Sequence, residues 1–158
     1  MIPSGAFQPS SQYRDSEKAD FDLWRNIMRE FSEELLGNPE HSGYERPVDY
    51  MNEPFLTLDG AREDGRLTVS LLGVGLDALT LWDEILTVAV FEAPLFDHLR
   101  RGFVRVNDEG TIAVRDKTIE TRPFTWPEIR GLIEGRRLAP AGASCLHLAW
   151  QHRDALLG

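Results

Sequence analysis

The chain has 158 residues, 42% apolar and 27% charged, proportions that suit one globular domain spanning residues 1–158. A formal net charge of -9 repels phosphate backbones and argues against direct nucleic-acid binding. No apolar run reaches bilayer length, Met1-Ile2-Pro3-Ser4-Gly5 lacks the regions of a signal peptide, and Cys145 is the single cysteine. These features lead to the expectation of a cytoplasmic protein with no membrane partner and no disulfide framework.

Residues 1 to about 15, rich in Ser, Pro, Gly and Gln, read as loop. From Ser16 to Leu36 the pattern is helical, because Trp24, Ile27, Met28, Phe31 and Leu35 recur at spacings of three and four. Ser16 and Asp20 are the candidate caps. Gly37 suits a left-handed stop and Pro39 forbids continuation. Residues 38 to about 54 read as a long polar loop, and 55–63 as a short helical turn ending at Asp64-Gly65.

Arg66–Leu76 and Ile85–Phe91 read as strands, with the connection Asp77–Glu84 left open. Ala93–Arg101 looks like a short helix. Val104–Gly110 reads as a strand followed by the turn Asn107-Asp108-Glu109-Gly110. Thr111–Val114 and Thr118–Arg122 form a candidate hairpin. Trp126–Ile133 is predicted helical, with Thr125 at the cap and Pro127 in the first turn. Ser144–Trp150 fits either a buried strand or the start of a last helix ending near Leu157. The fold class is α+β.

Chemistry concentrates on the first helix. Glu30, Glu33 and Glu34 stand at i, i+3 and i+4, neighbouring positions on one helical face. Adjacent carboxylates repel, and hard oxygen ligands in this array suit Mg²⁺ or Mn²⁺. The same spacing is also common on merely solvated helices.

The run Arg29-Glu30-Phe31-Ser32-Glu33-Glu34-Leu35-Leu36-Gly37 resembles the end of the Nudix signature. Pro3-Ser4-Gly5-Ala6-Phe7-Gln8-Pro9 resembles the glycine turn that opens that motif, and Thr121–Ile133 the approach to the last Nudix helix. Over nearly its whole length the chain resembles the C-terminal Nudix-like half of certain actinobacterial helix-turn-helix regulators. It departs from the motif in three places. Leu36 holds the expected glycine position, residues about 10 to 19 read as an insertion, and Phe21 stands where an upstream glutamate falls.

The resemblance implies an α/β/α sandwich around a mixed, curved sheet, here lacking its first strand or strands. An open sheet edge would invite a second copy and a homodimer. It implies a Mg²⁺-dependent (or Mn²⁺-dependent) hydrolase of a nucleoside-diphosphate-linked, nucleotide-like small molecule. Glu30, Glu33 and Glu34 would hold the metal, and Glu33 and Glu34 would serve catalysis. Gly5 would let the backbone approach the site, and Arg29 would support the helix through Glu33. Glu109 is a candidate general base, against the plain reading of a turn. The departures favour an alternative, a non-catalytic ligand-sensing module of the same fold. Cys145 and His147 would share a face on a strand, although a buried cysteine is more often a small hydrophobe.

Overall fold

In the computed structural model the described residues are 4–11, 14–39, 47–104, 106–107, 110–111, 114–115, 118–119, 121–135 and 138–158. They fall into two compact units, one formed by residues 2–64 and 93–120, the other by 65–92 and 121–158.

In the first unit the predicted single helix is two: α1 (Arg14–Asp20) and α2 (Leu23–Glu30). Asp22 makes the break. Its backbone is extended, with φ -146° and ψ 117°, and its side chain accepts the Arg25 N–H at 3.1 Å. A short carboxylate competes with the helix for its own first N–H groups and wins at this position. Asp20 is therefore not a cap; it is turned inward and 2% exposed. The apolar stripe buries Met28 and Phe31 as expected.

Beyond Glu30 the helix widens into a π-helical turn, Phe31–Leu35. It closes with the bonds of a glycine-capped helix end. Gly37 N–H reaches Glu33 O at 3.2 Å and Asn38 N–H reaches Ser32 O at 3.2 Å. Gly37 has φ +68°, the left-handed stop expected of it. A β-carbon there would also come within 2.5 Å of Val104 Cγ1, and Val104 N–H donates to Leu35 O at 2.8 Å.

The loop before Phe55 buries Tyr50 against the Phe55 ring, with centroids 5.1 Å apart. The segment read as a short turn is a full helix, α3 (Phe55–Glu63), burying Phe55, Leu58 and Ala61 at intervals of three. Trp24 ties α2 to it by donating from Nε1 to Asp59 Oδ1 at 2.5 Å. Helix α4 (Ala93–Leu99) and the tight turn Arg100–Gly102 bring Phe103 edge-on to both Phe31 and Phe96.

The second unit is built on an antiparallel hairpin of β1 (Leu67–Leu76) and β2 (Asp83–Phe91). Asp77 closes it: its N–H donates to Trp82 O at 2.9 Å and its carboxylate accepts from Leu79 N–H at 2.7 Å. A bulge between Leu71 and Gly73 shifts the register by one residue, at Leu72. Two further pairs belong to the first unit, β3 (Val106–Asn107) with β4 (Gly110–Thr111) and β5 (Val114–Arg115) with β6 (Thr118–Ile119). All strand pairing among the described residues is antiparallel and two-stranded, so these strands do not form the expected mixed, curved sheet.

Helix α5 (Trp126–Glu134) has Thr125 at its cap position, but the Thr125 side chain makes no capping bond. The ambiguous run after it is helical: α6 (Pro140–Gln151), followed by α7 (Arg153–Leu157). Pro140 in the first turn starts α6 at no cost in hydrogen bonds. Gly73 of β1 faces Leu148 of α6, and Cys145 of α6 contacts β2.

Gly37→Ala is expected to lose about 1–2 kcal/mol from the left-handed conformation alone, and more from the Val104 overlap. The check is a lowered urea midpoint with an unchanged m-value.

Candidate functional site

The glutamate helix and the N-terminal segment meet in the first unit. Ser4 N–H donates to Glu34 Oε1 at 2.6 Å. At Gly5 the backbone runs so close to Glu30 that a β-carbon would fall within its carboxylate. Gln8 O accepts from Arg29 Nη2 at 2.7 Å. Ser10 gives both its N–H, at 2.7 Å, and its hydroxyl, at 2.5 Å, to Asp20 Oδ2. The segment from Ser4 to Ser10 is thus strapped along the helix by charge-assisted bonds.

Arg29 is 4% exposed. Nη2 also donates to Asn26 Oδ1 at 2.8 Å, while Nε is buried without a hydrogen-bond partner among the described residues. Its charge lies near Asp20, which also accepts the Tyr50 hydroxyl at 2.7 Å. Burial alone would push the Asp20 pKa up. The Ser10 hydroxyl and N–H, the Tyr50 hydroxyl and the Arg29 charge outweigh it, and hold the carboxyl below its ordinary 3.8. Tyr50 is pushed up, first by burial and then by its bond to Asp20.

The three glutamates do not share one environment. Glu34 is buried at 4% exposure, whereas Glu30 and Glu33 are half-buried. Glu33 and Glu34 both lie in the π-helical turn, next to each other and so pointing different ways around its axis. A wider turn advances each residue less around the axis, which changes the spacing of Glu33 and Glu34 about the axis from that of an ordinary helix. Among the described residues, no group of three or more His, Cys, Asp or Glu side chains converges to hold one cation.

A depression of about 410 Å³ opens at the end of this helix, lined by Leu36, Pro54, Thr57, His98 and Arg101 among others. Thr57 donates to Glu53 Oε2 at 2.6 Å on its rim. Glu109 lies outside the described residues. In the second unit, Cys145 and His147 lie two residues apart on α6 and therefore on different faces. Cys145 is buried with Sγ 3.1 Å from Thr87 O, and burial pushes its thiol pKa up. His147 is exposed beside the Trp126 ring, at 5.8 Å. They make no thiol–imidazole pair.

Tyr50 and Ser10 carry no motif, and Asp20 was expected only as a helix cap. One signal was present, since Asp20 stands four residues before Trp24, on the apolar stripe itself. A carboxylate on a buried face needs partners. No family model, no curated protein and no solved structure matches the chain.

A depressed pKa in the folded state stabilises the protein above the unfolded value, and that contribution is lost as the pH falls below 3.8. Asp20→Asn is therefore expected to lower stability at neutral pH and to flatten the further loss below about pH 4. Urea midpoints across the acid range measure this; an acid limb as steep in the variant as in the parent would contradict the assignment.

Proposed function

We propose that the chain is a Mg²⁺-dependent hydrolase of a nucleoside-diphosphate-linked substrate, built as a Nudix-like domain. The observation that carries this reading is the close approach of the Gly5 backbone to the Glu30 carboxylate. A glycine turn laid on a glutamate helix is the arrangement that the resemblance implies. The π-helical turn adds support. The motif's glycine is due where Leu36 stands, and a π-turn is the helical form that takes up one extra residue and delivers Gly37 to the stop.

The residues present fit a cation held in part by its substrate. Mg²⁺ usually keeps waters and takes one or two carboxylates together with phosphate oxygens, so a closed protein cage is not required. Glu30, Glu33 and Glu34 are the residues that would hold it. When bound, the cation would neutralise diphosphate oxygens and activate a water. Gly5, without a side chain, leaves room beside Glu30. Arg29 holds the strap in place and takes no part in bond breaking. His98 and Arg101 at the depression suit phosphate oxygens. Glu109 is the candidate base.

A second reading has its own observation. Glu34 is buried and already engaged by Ser4 N–H, and no three-carboxylate group is seen among the described residues. These features favour a non-catalytic module that senses a nucleotide-like small molecule at the same place.

Phosphate release from a panel of nucleoside-diphosphate compounds separates the two. The hydrolase reading expects turnover with Mg²⁺ or Mn²⁺ that disappears with chelator and in Glu33→Gln/Glu34→Gln. No turnover with any compound, together with calorimetric binding, would establish the sensing module instead. Gly5→Ala is expected to lower turnover with little change in thermal midpoint, because the end of the flexible Glu30 side chain can swing aside. Equal loss of folding and activity would mean that Gly5 serves the fold alone.

A further inference from the structure

The hairpin of the second unit carries apolar surface far beyond what its own unit covers. The β1–β2 register places Leu71, Val74, Leu76 and Ile85 on one face, since directly paired residues share a side and Val74 is paired with Ile85. Their exposures are 59%, 66%, 62% and 37%. The opposite face holds Gly73 and buried Leu86, and Gly73 faces Leu148 of α6. At the tip, Leu79, Leu81 and Trp82 are 88%, 70% and 71% exposed.

We propose that this strip and tip are the surface through which a second copy of the chain docks, hairpin against hairpin about a two-fold axis. Area is the first argument. By their fractional exposures these side chains leave roughly 900 Å² in the open, against about 800 Å² contributed per partner to a standard interface. The largest patch on a typical monomer is smaller, about 300–600 Å².

Charge is the second argument. From Leu67 to Glu92 there is no Lys, Arg or His, and the charged residues are Asp77, Asp83, Glu84 and Glu92. Such a surface repels nucleic acid and anionic lipid. On the strip's own face the single charged residue is Asp83, the partner of Leu76. Asp77 is occupied by the N–H groups of its own turn. Asp83 pairs with Leu76 at the far end of the strip, and antiparallel packing carries the two copies of Asp83 to opposite ends. Like charges therefore do not meet.

Sedimentation equilibrium of the full chain at micromolar concentrations tests this. The wild type is expected to be a dimer, and Val74→Asp/Leu76→Asp to halve the mass while keeping the far-ultraviolet circular dichroism. As a second measurement, Val74→Cys is expected to give disulfide-linked dimers under mild oxidation, and Thr68→Cys, on the opposite face, to give none. A monomeric wild type would assign the strip to a different partner and overturn the proposal. So would a dimer that survives the double substitution, or cross-linking equal at both positions.

Discussion

One buried carboxylate organises the first unit. Asp20, withdrawn from water, is tolerable only because Ser10 supplies an N–H and a hydroxyl, Tyr50 a hydroxyl, and Arg29 a nearby positive charge. Those partners come from three separate stretches of chain, so satisfying one charge fixes their mutual placement. The N-terminal segment has no regular structure between Ser4 and Gln8, yet it is held against the helix at both ends. The position of Gly5 beside Glu30 is inherited from that fastening.

The helix shows how much of the fold was open to inspection beforehand. Its apolar stripe, its glycine stop and the burial of Met28 and Phe31 follow from spacing alone. The break at Asp22 does not, because a stripe of threes and fours continues through it and only local competition for N–H groups reveals the cap. The π-helical turn was visible only as an anomaly, a glycine arriving one residue late. Periodicity arguments assume a constant turn, so they do not foresee that Glu34 is buried while Glu30 and Glu33 stay half-buried.

Elsewhere the limits were of other kinds. Ser144–Trp150 is apolar enough for a strand or a helix, and Pro140 upstream, which suits a first helical turn, is what decides for α6. The strands Arg66–Leu76 and Ile85–Phe91 are readable from their composition, but which strands neighbour one another is a tertiary matter that composition does not encode. The candidate site was legible in its residue types, Gly5 and the glutamates. It was not legible in its support, since Asp20, Ser10 and Tyr50 belong to no motif and act through contacts distant in sequence.

The burial of Cys145 also shapes how the protein meets oxidants. Only 6% exposed as a residue, and with its thiol pKa pushed up by burial, Cys145 is a poor first target. Sulfur chemistry falls instead on methionine, and the two methionines among the described residues differ sharply. Met51 is 73% exposed in the loop before α3, whereas Met28 is 1% exposed under the glutamate helix. Mild peroxide would thus convert Met51 to its sulfoxide while the core around Met28 stays reduced, and the damage would stay at the surface.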